Sequence, residues 1–213
     1  MWWASGALSL LGAVAVAMLV PAEPSTVPAV QTGLPVRHDP RLWRMIIAYG
    51  LFGFGYVITA TFLVAIVRAT PATQGLEPII WVVVGLAAAP SVLLWTRLAR
   101  RVGTRNAFAA AALTEAVGVL ASVVWPGTIG LCAAAVLLGG TFMGLTALGL
   151  ISGRELAGGD PRRTIAMMTG AFGVGQIVGP ALSGIISDAL GGFAVPSLMA
   201  AAGLILAALL ARR

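Results

Sequence analysis

Seven long stretches of this chain are almost free of charge, at about residues 2–20, 45–67, 79–96, 107–124, 129–150, 164–187 and 192–211. Each is close to the ~20 residues that a helix rising 1.5 Å per residue needs to cross ~30 Å of hydrocarbon. The stretches are continuous and rich in Ala, Leu and Gly, and they show no ten-residue units of alternating polarity. That argues for spanning helices over barrel strands. The pattern predicts an all-α, polytopic membrane bundle of about seven transmembrane helices.

The breaks between the runs carry turn chemistry. WPGT at 125–128 is a Pro-Gly turn, GGDPRR at 158–163 ends one helix and starts the next, and ALGG at 189–192 closes the last hairpin. Such short breaks predict consecutive helices that are antiparallel neighbours. Only 21–44 is long, and its prolines keep it extended or irregular, a linker between two bodies. The organisation expected is a helix over 1–20, a Pro-rich cytoplasmic linker over 21–44 and a six-helix body over 45–213.

Composition agrees with a lipid environment. Of 213 residues, 59% are hydrophobic and 9% charged, too few charges to cover a soluble core of this size. The first run competes with a secretory signal reading. It lacks basic residues ahead of its apolar core and exceeds the usual 7–15 residues, so a spanning helix is expected.

All thirteen basic residues are Arg, and their placement predicts topology. If the seven helices alternate, the connections at 21–44, 97–106 and 151–163 and the C-terminus share one side with twelve arginines, leaving Arg68 alone on the other. Positive loops stay in the cytoplasm, which puts the N-terminus outside and the C-terminus inside. WTRLARRVGTRN, 95–106, with Arg97, Arg100, Arg101 and Arg105, is then a cytoplasmic loop. The net charge of +6 is scattered over loops with no groove or aromatic platform, so the partner expected is the anionic bilayer and not nucleic acid. The tryptophans 2, 3, 43, 81, 95 and 125 fall near predicted boundaries, as in an aromatic belt.

No enzyme, metal or cofactor is expected. Cys132 is alone in an apolar run, His38 is alone in the linker, and there is no Ser-His-Asp set, phosphate-cradling Gly loop or nearby carboxylate pair. Glycines at helix-packing spacing form three groups: Gly50, Gly53 and Gly55; Gly139, Gly140 and Gly144; Gly175, Gly179 and Gly184. Pro180, beside Gly179, frees a backbone carbonyl in mid-run and permits a bend there.

AYGLFGFGYVITATFLVAIVR (48–68), LLGGTFMGLTALGL (137–150) and GAFGVGQIVGPALSGIISD (170–188) resemble the C-terminal half of a major facilitator superfamily transporter, within it the YbfB/YjiJ group. TRLARRVGTR, 96–105, is similar to the superfamily's loop motif Gly-x-Leu-Ala-Asp-Arg-x-Gly-Arg-Arg. Leu98, Ala99, Arg101, Gly103 and Arg105 match, whereas Thr96, Arg100 and Thr104 depart from it. The resemblance implies a positioning role for Arg101 and Gly103 in a cytoplasmic loop motif that also holds Arg97 and Arg105, and GQIVGPALSG, similar to the family's Gly-x-x-x-Gly-Pro motif, implies helix bending at Gly175, Gly179 and Pro180. Arg100, where the pattern has Asp, cannot accept hydrogen bonds as a carboxylate does, which weakens the gating role.

The resemblance also implies that run 2–20 is the counterpart of a sixth helix, 21–44 the central linker, and the rest the second six-helix half. The first five helices would be missing, so a second chain or an N-terminal half is the expected partner. Activity would be secondary transport of a small organic solute across a bacterial inner membrane by alternating access. Proton coupling follows from the lack of a nucleotide-binding motif. The competing expectation is a truncated, non-transporting remnant or an interaction subunit.

Polar groups inside the runs are the candidate substrate path. Glu115 lies about 12 Å into its run and, because a charge at the bilayer centre costs at least ~2.5 kcal/mol, should face a cavity or a partner. It could titrate and couple proton movement to solute. Gln176 offers uncharged donors and acceptors, and Tyr49, Gly53 and Tyr56 share one helix face, with Thr59 nearby. Arg68 reads either as an interfacial anchor or as the partner of Glu77 or Asp188.

Overall fold

The computed structural model describes residues 39–212 apart from 70, 126 and 159, together with Gly6, Leu10, Leu11, Val14, Met18 and Leu19. The chain divides into two compact units, Met1–Gly33 and Leu34–Arg213. In the first, the six described positions are α-helical. The remainder of the 2–20 run, linker residues 21–38, His38, Trp2 and Trp3 lie outside the described residues.

The second unit is helical: α1 (Pro40–Ala69), a 3-10 turn (Pro71–Leu76), α2 (Glu77–Ala88), α3 (Ser91–Val102), α4 (Thr104–Val124), α5 (Thr128–Leu156), α6 (Pro161–Leu190) and α7 (Ala194–Arg212). The 3-10 turn, α2 and α3 make one apolar span, Pro71–Val102, interrupted at Ala89 and Pro90. Six spans among the described residues are thus long and apolar enough to cross a membrane. They coincide with the last six of the seven predicted runs.

Helix ends differ from the hydropathy boundaries. α1 begins at Pro40, so the last five residues of the 21–44 segment are helical. The connection expected over 97–106 shrinks to Gly103: Arg97, Arg100 and Arg101 ride on the last turns of α3, and Arg105 opens α4. Leu, Ala and Arg are all strong helix formers, so the fall in hydropathy marks where the apolar stretch stops and not where the helix does. Gly103 stops it, at φ 86°, a conformation that side chains with a Cβ rarely adopt.

Two helices start with the same three residues. Asp39-Pro40-Arg41 and Asp160-Pro161-Arg162 each place Asp as N-cap, with its Oδ1 accepting from the Arg amide two residues on, at 2.8 and 2.9 Å. Proline follows at the first helical position, where its missing N–H costs nothing. The helices so capped, α1 and α6, pack against each other along much of their length and in the same direction: Gly50 meets Ala171 and Gly175, Gly53 meets Phe172, and Phe54 meets Gly179.

The expectation that consecutive helices are neighbours holds for α4 with α5 and, less extensively, for α3 with α4, but not for α1 with α2 or α6 with α7. α1 packs mainly on α6 and α7, α7 also on α4, and α5 also on α2 and α3, whereas α6 and α7, though joined by a short turn, touch little. A tight turn reverses direction but commits only the residues beside it. The longer contact goes to whichever helix offers a matching groove of small residues. A Cβ on Gly50 would stand 3.1 Å from Ala171 O, and one on Gly175 would strike Gly50 O and Phe54 N. Gly140 and Gly184, grouped with the packing glycines by spacing, have nothing within 4 Å of such a Cβ.

The buried core runs through α1, α4, α5 and α7, with Phe52, Phe108, Leu145, Leu148 and Leu204 among its enclosed side chains. The spans Pro71–Val102 and Pro161–Leu190 are only 17% buried over their apolar windows, against 39–56% for the others. They carry the open faces of the bundle.

Candidate functional site

α1 presents Tyr49, Phe52 and Tyr56 at intervals of three and four residues, hence on one face. That face seeds a ring cluster drawn from four helices. Phe52 is fully enclosed, with Phe172 of α6 at 5.4 Å and Phe108 of α4 edge-on at 6.3 Å. Tyr56 stacks on Phe142 of α5 at 4.1 Å, and Tyr49 tilts against Phe172 at 5.1 Å. Tyr49 is buried, its ring against the bare backbone of Gly149, while Tyr56 is half-buried. Gly53 backs onto the Phe172 backbone. Thr59 turns its hydroxyl to Gly55 O at 3.0 Å and so satisfies its own helix.

Glu115 is fully buried between α4 and α5. Its Oε2 lies 2.9 Å from Thr141 Oγ1, and its Oε1 has no partner among the described residues. Thr141 also reaches Leu137 O at 2.6 Å. Sequence reading missed Thr141, though a signal exists: steps counted outward along both helices from the 125–128 turn lead from Glu115 to its neighbourhood. It also missed Phe142 and Phe172, which belong to helices with no fixed sequence distance from α1.

Gln176 lies half-buried on α6, and its side chain hydrogen-bonds to none of the described residues. Pro180, four residues on and inside the same helix, has no N–H to give to the Gln176 carbonyl. Side-chain amide and main-chain oxygen are therefore both available at one position. Gly175 and Gly179, flanking it, are buried against α1.

A second assembly joins α3 to α5. Trp95 Nε1 donates to Gly140 O at 2.7 Å, and Gly144 N donates to Ser91 Oγ at 2.9 Å. Gly140 O and Gly144 N are the pair that bond to each other in an uninterrupted α-helix. Ser91 and Trp95, one turn apart on α3, engage both. Trp95 thus clips α3 to α5, whereas Trp43, Trp81 and Trp125 are exposed.

At the arginine-bearing end, Arg97, Arg100 and Arg101 are exposed and, with Leu98, line a cleft of about 480 Å³. Gly103 is exposed and Arg105 half-buried. Thr104 Oγ1 donates to Glu155 Oε1 at 2.8 Å, tying the start of α4 to the end of α5. At the other end, Arg68 pairs with Glu77 across the 3-10 turn, both side chains partly in the open. Asp188 stands apart, exposed near the end of α6.

The arrangement combines a sealed carboxyl, a half-open aromatic wall and an amide without a hydrogen-bond partner among the described residues, in a bundle of helices long and apolar enough to cross a membrane. A family model described as "Uncharacterised MFS-type transporter YbfB" matches residues 1–212. No curated protein matches the chain.

Proposed function

The chain belongs to the YbfB-type transporters of the major facilitator superfamily, and on that premise we propose that it moves a small organic solute by alternating access, coupled to protons. It is a multi-pass membrane protein. The observation that carries the coupling is Glu115, a carboxyl enclosed in the six-span body with one oxygen that has no partner among the described residues. A fixed charge there would be expensive to no purpose, whereas a group that takes up and releases a proton has a use for enclosure.

In this reading Tyr56 and Gln176, with Tyr49, Gly53 and Thr59 behind them, line the solute path. The arginines at 97, 100, 101 and 105 hold the cytoplasmic end, with the C-terminus inside and the N-terminus outside a bacterial inner membrane. The weakly buried spans Pro71–Val102 and Pro161–Leu190 face a further body, either an N-terminal half or a second chain, that completes the path.

Reconstitution of the chain together with the other products of its complete locus, so that the path is whole, in vesicles holding a pH-sensitive dye tests the coupling. A panel of small organic acids, amines and sugars is added outside, and a solute that evokes proton movement identifies itself. The wild-type chain is expected to respond and Glu115→Gln to lose proton movement while retaining solute exchange. Unchanged coupling in Glu115→Gln removes Glu115 from the mechanism, and the lack of any response across the panel removes the proton.

A further inference from the structure

Three oxygens surround the Thr141 hydroxyl: Leu137 O at 2.6 Å, Glu115 Oε2 at 2.9 Å and Leu138 O at 3.3 Å. The carbonyls only accept, and the hydroxyl has a single hydrogen. Its shortest contact is the back-bond to Leu137, four residues earlier on α5, which is where that hydrogen is best used. Once it is committed there, Thr141 Oγ1 has only lone pairs to offer Glu115. Two oxygens 2.9 Å apart attract only if one brings a proton, and the remaining source is the carboxyl itself.

The other carboxyl oxygen leads to the same conclusion. An ionised carboxylate presents about four lone-pair sites and, when buried, needs donors or a cation at both oxygens. Glu115 is 0% exposed, and Oε1 has no partner among the described residues. α4 packs against α1, α3, α5 and α7, whose arginines all lie in terminal turns. Among the described residues, the titratable side chain that interacts electrostatically with Glu115 is Tyr56 of α1, a phenol and not a cation.

We propose that Glu115 is held as a neutral carboxylic acid donating from Oε2 to Thr141 Oγ1, and that Thr141 is the positioning residue that keeps the proton between α4 and α5. The proton then stays until that contact opens, so α4 must shift on α5, or water must enter, before it can leave. This deepens the coupling reading and rests on it only for the use made of the proton.

Infrared spectroscopy on the full chain in lipid nanodiscs reads the proton directly and needs no solute. At neutral pH the spectrum is expected to contain a protonated-acid carbonyl band that disappears in Glu115→Gln. Thr141→Val, which keeps the shape and loses the acceptor, shifts the band to higher frequency, and Thr141→Ser restores it. The Thr141 variants keep the carboxyl, so they carry the assignment even if Glu115→Gln does not fold. A spectrum without a Glu115-dependent acid band at neutral pH overturns the neutral-acid assignment. A band indifferent to Thr141→Val overturns the role of Thr141. Either can occur with transport intact, and the band can persist in a chain that couples no protons.

Discussion

At the scale of the residue, the contact between Ser91, Trp95 and α5 makes a distinctive demand. Gly140 O and Gly144 N are each held by a side chain of α3, and each is the natural partner of the other. Trp95→Phe is expected to lower stability by about 1 kcal/mol, the ordinary net value of one hydrogen bond, and Ser91→Ala by a similar amount. With both changes the freed carbonyl and amide can close on each other. The double variant should therefore lose less than the two singles added together. Thermal unfolding of the four proteins in detergent measures this, and strict additivity would mean that the helix keeps its own bond throughout.

At the scale of the element, the glycines separate by what lies beside them and not by their spacing. Gly175→Ala drives a methyl into the Gly50 and Phe54 backbone and should cost roughly 1–3 kcal/mol, as overpacking does. Gly184→Ala, on the same helix with nothing within 4 Å, should raise stability by about 0.5–1 kcal/mol through helix propensity. Melting temperatures moving in opposite directions are the expected result. Pro180→Ala returns an amide to the Gln176 carbonyl and should stabilise α6. If that carbonyl serves the solute path, the more stable variant should also exchange solute more slowly in vesicles.

The helices themselves were legible because lipid forces every span to be long and apolar. Their ends were less so: arginine leaves the membrane without leaving the helix, and the 95–106 stretch proved to be two helices meeting at Gly103. Their partners were least legible, since apolar faces look alike where solvent and protein are both apolar. Glu115 stood out as a lone acid in its run. Thr141, its hydrogen-bond partner, is an ordinary threonine until the α4–α5 hairpin is closed.

At the scale of the whole molecule, six spans and the family match agree on a transporter body, while the partners of each span are set by contacts distant in sequence. The topology read from the arginines makes a direct claim. A cysteine replacing exposed Arg100 should react with an impermeant maleimide in inverted vesicles and resist it in intact cells. Labelling from outside would reverse the orientation. The pairing of α1 with α6 bears finally on how the protein is made. A ribosome releases α1 four spans before α6, so the groove of Gly50 and Gly53 has no permanent occupant while those spans emerge. The nascent chain must wait with that seam lipid-filled, and a chain arrested before residue 161 should show α1 open to membrane-phase crosslinkers that the finished protein excludes. In biogenesis, α6 is the element that ends the wait.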